Sequence, residues 1–365
     1  MKKIKKIPDI PLLIIISLLL VVGILALATT SIPLSLKLTG NAGHYLIHQM
    51  LFGLLPGLIL GFIAFKIPIL KFKKYSFIFF ILSYLLMFSV FIPGLSKNEL
   101  GATRWVDLGF FSFQPSEILK LSIIFYLATI LDDQKNRKKF FAFITILFLI
   151  CGVLLLQKDM GTLFVLFAMM ASMFFCSKTT IKQNLILFSG AIVGFISFIL
   201  ITPYRMKRIF SFLNPGEDVL GSGYHINQAL ISVGSGGLIG SGLGLSMQKL
   251  GFIPQSISDS IFAILAEELG FLGCIFLILL FLAFFVRCII ISEKLNNQTL
   301  KLITIGISCW IIVQAFVNMG SMIGFSPLTG IPLPFISYGG THLIAELVAC
   351  GLLLNISKEM KSQSC

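Results

Sequence analysis

The stretch GFIPQSISDSIFAILAEELGFLG, residues 251–273, decides how this chain is read. It carries Pro254, Gln255, Ser256 and Ser258 up to Asp259, then turns apolar, holds Glu267 and Glu268, and runs on through CIFLILLFLAFFV to residue 286. A run of that length is a membrane-spanning helix, which needs roughly 20 mostly apolar residues. Three carboxylates beside or inside it call for a reason, because ionisable groups at membrane depth are rare and face a partner or a cavity.

Working outward, the whole chain has the same character. It is 57% hydrophobic and 12% charged, against about 25% charged in soluble domains. Ten stretches are apolar enough to span, at approximately 11–30, 46–65, 75–94, 116–131, 139–157, 160–177, 184–202, 260–286, 302–325 and 339–356. The expected fold is an all-α polytopic membrane protein, one domain over residues 1–365. The first stretch lacks a small-residue cleavage site and reads as an uncleaved span.

Orientation follows from Lys and Arg, which favour cytoplasmic segments. Nineteen lie on the side of the two termini and eight on the other, with Lys120 inside a span, so both termini are expected in the cytoplasm. The net charge of +13 reflects this bias, and no nucleic-acid partner is expected. The seven cysteines show no metal-ligand spacing and read as apolar packing residues. His44, His48, His225 and His342 likewise show no paired metal spacing, and no nucleotide-binding loop or nucleophile elbow occurs.

The outer side is expected to hold segments 95–115, 203–259 and 326–338, where acids and bases interleave. Loops on one face of a helical bundle are where a site belongs. Segment 203–259 is Gly-rich and only mildly polar, so a partly re-entrant loop beside a cavity is expected, with INQALISV as a short amphipathic helix. Pro327, Pro332 and Pro334 make PLTGIPLPFISYGG a second non-helical segment that dips into the membrane.

Each candidate residue admits two roles. Asp259 is either a helix cap or a catalytic group, and the two are compatible. Glu267 and Glu268, eight and nine residues on, would sit about 12 Å deeper and serve as interhelical partners or cavity carboxylates, as would Glu346. Arg104 is a phosphate fork or an interfacial residue beside Trp105; Lys120 is a substrate cation or the partner of Glu117. Arg205, Lys207 and Arg208 oppose the positive-inside bias, and an anionic headgroup is their natural partner. Asp159 is expected to cap the sixth span.

Five motifs in order, GATRWVDLGFFSFQPSEILKL, QKDMGT, GYHINQALISVGSGGLIGSGLGLSMQKLGFIP, SDSIFAILAEELGFLG and GIPLPFISYGGTHLI, resemble the SEDS family of shape, elongation, division and sporulation proteins over nearly the whole chain. The third and fifth look closest to its FtsW and SpoVE branch. The resemblance implies a peptidoglycan glycosyltransferase that polymerises lipid II on the outer face of the bacterial cytoplasmic membrane. It implies a class B penicillin-binding protein as partner, among other divisome or elongasome proteins, and septal synthesis rather than RodA-like elongation. The family's essential aspartate falls on Asp259. Arg104, Lys120, Arg205, Lys207, Arg208, Lys249, Ser337 and Tyr338 are the expected substrate-binding residues. A divalent cation, magnesium or manganese, is the candidate cofactor.

The chain departs from the family where many relatives read PE-x-HTDF: Gln255, Ile257 and Ser260 stand where Glu, His and Phe are common. The rival functions are a lipid-precursor flippase, for which an internal repeat would be expected and none is evident, and a scaffold without chemistry.

Overall fold

The computed structural model describes residues 7–99, 102–109, 112–132, 139–177, 179–201, 212 and 223–361. Among the described residues seven helices are long and apolar enough to cross a membrane: Ile10–Thr30, His44–Lys66, Ile69–Phe91, Lys139–Leu156, Ile261–Glu293, Gln298–Met322 and Gly340–Met360. Three more fall on the remaining expected spans: Pro115–Asp132, which carries Glu117, Lys120 and Asp132, the shorter Met160–Phe175, and Ile181–Ile201 of 21 residues. The spans are numbered first to tenth in chain order. The chain is thus a multi-pass helical protein on the expected plan.

Burial separates centre from rim. In the ninth and tenth spans 72% of the apolar window is buried, but only 22–33% in the first three. The ninth span therefore carries the core, with Trp310, Ile307, Ile311 and Ala315 fully enclosed, while the first three spans turn much of their apolar surface outward.

Three strands, β1 (Ser96–Glu99), β2 (Ala102–Asp107) and β3 (Ser112–Phe113), form a small antiparallel sheet. Side chains alternate faces along a strand, so Arg104 shares the inward face of β2 with the buried Val106. INQALISV lies in the helix Tyr224–Ser235, which packs on the eighth span as expected.

The eighth span departs from expectation. Gly270 has φ 67° and ψ −169°, a break inside Ile261–Glu293. Loop 236–242 fills the break by exchanging backbone bonds with it: Ser241 N–H donates to Glu267 O (2.9 Å), Gly242 N–H to Glu268 O (3.0 Å) and Phe271 N–H to Gly237 O (2.9 Å). Broken helices survive in a bilayer only when neighbouring groups satisfy the freed backbone in this way. A Cβ at Gly236 would stand 2.1 Å from Ala266 O, so the chains meet backbone to backbone. Residues 236–242 of the Gly-rich loop thus pack directly into the helix.

Thr29, in the last turn of the first span, donates to Glu268 Oε2 at 3.0 Å. Glu268 is therefore level with the end of that span, and both glutamates lie on the regular turns that precede the break.

Candidate active site

Three segments far apart in sequence meet at Gly330. A Cβ built there would lie 3.3 Å from both Asp259 Oδ2 and Arg104 Nη1, and Gly330 has φ 65°. Only a glycine takes that backbone freely and leaves the space open.

Asp259 is half-buried just before the eighth span. The cap position is Ser260, so Asp259 stands outside the helix and is not its cap residue. Its backbone is fixed from the ninth span, where Asn318 Nδ2 donates to Asp259 O (2.8 Å) and to Ile331 O (2.7 Å). Ser337 Oγ donates to Ser258 O (2.6 Å), and Tyr338 N–H donates to Ile257 O (2.9 Å). Ser337 and Tyr338, expected to touch substrate, are thus bonded to the strip that carries Asp259.

Arg104 reaches in from β2. Its guanidinium donates to Gly330 O and Lys158 O, both at 3.4 Å, and its Nε lies 3.5 Å from Asp159 Oδ1. Asp159 caps the sixth span as expected, accepting from Thr162 N–H at 3.2 Å. Among the described residues three non-glycines have positive φ: Lys158 (58°), whose carbonyl accepts from Arg104, Gln255 (53°), four residues before Asp259, and Phe335 (64°) in the Pro-rich segment. Such strain persists where surrounding structure enforces it and clusters at functional sites.

An imidazole also stands close by. His225, from Tyr224–Ser235, places Nε2 2.6 Å from Ser260 Oγ, whose hydroxyl donates to Pro254 O at 2.8 Å. Ser260 therefore accepts from His225. Sequence reading shows only that His225 has no paired metal spacing, because nothing local joins residues 225 and 260.

The sequence profile of the cell cycle protein family FtsW/RodA/SpoVE matches residues 10–362. The chain belongs to this family. It is 37% identical over 349 residues to the probable peptidoglycan glycosyltransferase FtsW of Haemophilus ducreyi, covering 93% of this chain and 87% of that protein. It is also 37% identical over 356 residues to stage V sporulation protein E of Bacillus subtilis, covering 96% and 97%. Among solved structures, a chain from a peptidoglycan synthase complex that coordinates polymerization and crosslinking superposes with TM-score 0.80 at 24% identity, over 97% of this chain and 98% of that one. The rod shape determining protein RodA of Thermus thermophilus gives 0.71 at 24% identity, over 96% of each. These likenesses establish the FtsW/RodA/SpoVE fold.

Within this member of the FtsW/RodA/SpoVE family, two expected substrate cations are buried instead in internal pairs. Lys120 is 2% exposed, donates to Glu117 Oε1 (2.8 Å) and Gln314 Oε1 (3.0 Å), and lies over the Trp310 ring. Lys249 is 7% exposed and donates to Glu268 Oε1 (2.9 Å) and Thr29 O (3.4 Å). A buried cation is kept by a close anion; helical spacing points Lys120 to Glu117, whereas no local spacing points Lys249 to Glu268.

The three glutamates are structural partners. Glu267 accepts from Ser232, Ser246 and Met247 N–H at 2.5–3.0 Å, and Glu268 takes Lys249 and Thr29. Glu346 accepts from Phe335 N–H (2.8 Å) and pairs with His342 (2.9 Å). Tyr338 Oη lies 2.9 Å from His48 Nδ1, and burial, with Tyr45 beside it, pushes the phenol up to about 12. Arg205, Lys207 and Arg208 lie outside the described residues.

The donor set does not form a cage for the candidate cation. Among the described residues no three or more His, Cys, Asp or Glu gather as metal ligands. Arg104 reaches Asp159 with Nε and the Gly330 point shared with Asp259 with Nη1, so a fixed guanidinium supplies positive charge there.

Proposed function

We propose that the chain is a peptidoglycan glycosyltransferase that polymerises lipid II into glycan strands on the outer face of the cytoplasmic membrane, in septal synthesis. The observation that carries this reading is the meeting of Asp259 and Arg104 at the Gly330 gap. Membership of the family and the FtsW naming of the relatives supply the substrate class.

A glycosyl diphosphate brings its own leaving group, so the reaction needs one base and a cation for the departing charge. Asp259 accepts the proton of the acceptor sugar's 4-hydroxyl as that oxygen attacks the anomeric carbon. The bond from that carbon to the diphosphate breaks with inversion, and undecaprenyl diphosphate leaves with the electron pair. Arg104 offers a planar fork to the developing phosphate charge. A class B penicillin-binding protein is the proposed partner, crosslinking the strands, and both termini face the cytoplasm.

Lipid II polymerisation by the reconstituted protein, with its cognate transpeptidase, tests the proposal against the Asp259→Asn variant. Glycan ladders from the parent alone support it. Equal product from both proteins rejects Asp259 as base; no product from either, with both folded and partner-bound, rejects the polymerase and turns attention to translocation.

A further inference from the structure

Residues 236–252 are built the wrong way round for a loop in water. Their large apolar side chains point outward: Leu238, Ile239 (81% exposed), Leu243, Leu245, Met247 and Leu250 are all exposed. The one charged residue among them, Lys249, is turned inward onto Glu268. A water-facing loop reverses both placements, since exposed charge is normal and contiguous exposed apolar surface marks an interaction.

The backbone tells the same story. Amide groups of Gly240, Ser241, Gly242, Leu245 and Leu250 donate to main-chain carbonyls, and those of Met247 and Lys249 donate to Glu267 Oε1 and Ser246 Oγ. Irregular backbone needs internal partners of this kind where water cannot supply them. Height agrees as well. The first span begins at the Asp9 cap, which Arg287 pairs at 2.6 Å, and Thr29 touches both Lys249 and Glu268. Twenty helical residues rise ~30 Å, the thickness of the hydrocarbon core, which brings the loop to the far edge of the bilayer.

We propose that residues 238–250 are a re-entrant wall in one leaflet, with these side chains against lipid acyl chains. The wall leads directly into the strip 253–259, so it ties the height of Asp259 to the membrane surface. The inference does not rest on the polymerase reading.

The test uses the full chain in lipid nanodiscs, where both faces are open to solvent. Ile239→Cys and Leu245→Cys are treated with a charged maleimide and read site by site by mass spectrometry, with Leu108→Cys on the exposed tip of the sheet as reference. In parallel, Leu245→Trp is compared with the parent protein in nanodiscs of brominated lipid. The expected result is labelling about tenfold or more slower than at residue 108, because burial in lipid excludes the reagent, with Trp emission quenched by bromine. Labelling at the reference rate overturns the proposal by placing the loop in water. Slow labelling without quenching overturns it too, because protein then covers the surface.

Discussion

Two polar regions lie within the same bundle and are held differently. Under the Pro-rich segment, Glu117, Lys120, Gln314, His342 and Glu346 form a buried cluster in which Glu117–Lys120, Lys120–Gln314 and His342–Glu346 run at 2.8–3.0 Å, while Glu117–His342 and Gln314–His342 are longer, at 3.5 and 3.4 Å. Arg104, by contrast, is held among the described residues only by contacts of 3.4–3.5 Å and keeps 19% of its side chain exposed next to the gap at Gly330. Close bonds among buried groups fix helices to one another. Long ones leave a cation ready to exchange its partners for an incoming anion.

The contrast breaks most visibly at Asp259. Asp259→Asn is expected to lower polymerisation by about 10²–10⁴-fold, the range for a lost general base, with the thermal midpoint in detergent unchanged. A large drop in that midpoint would move Asp259 to the structural side. Glu117→Ala is the opposite case: it leaves Lys120 and His342 buried without their shared anion and should cost ~3–5 kcal/mol of stability, read as a lowered midpoint. A stable Glu117→Ala protein would show that the buried cluster does not hold the fold.

A finer probe is Gly330→Ala. The left-handed backbone alone costs a side chain ~1–2 kcal/mol, and the new methyl would enter the gap between Asp259 and Arg104. Turnover should fall about tenfold with partner binding intact; unchanged turnover would mean that substrate does not use the gap. Smallest is Tyr338→Phe, which removes the hydroxyl facing His48 and should cost ~1 kcal/mol in a denaturation series, with activity nearly kept. A loss as deep as that of Asp259→Asn would give Tyr338 a direct role.

Much of this was readable from local pattern. All ten apolar stretches fall on helices, the Asp159 cap sits where its spacing predicts, and Glu117 pairs with Lys120 one turn away on the same helix. Relations within one element follow from helical geometry. Relations between elements did not show. Nothing around Lys249 points to Glu268, nothing around His225 points to Ser260, and nothing around Arg104 points to Gly330. Gly270 is hidden for another reason: one glycine in an apolar run looks like any other small residue in a spanning helix, and the partner that makes it a break lies thirty residues earlier, at Gly240.

That clasp restricts the gene as well as the fold. At Gly236, Gly240 and Gly270 a Cβ would lie 2.1–2.2 Å from another backbone atom, and every missense change to a glycine codon adds at least a Cβ. Three codons away from the Gly330 gap therefore tolerate only silent changes. Inherited variation across this protein should thin out at those positions as sharply as at the codon for Asp259.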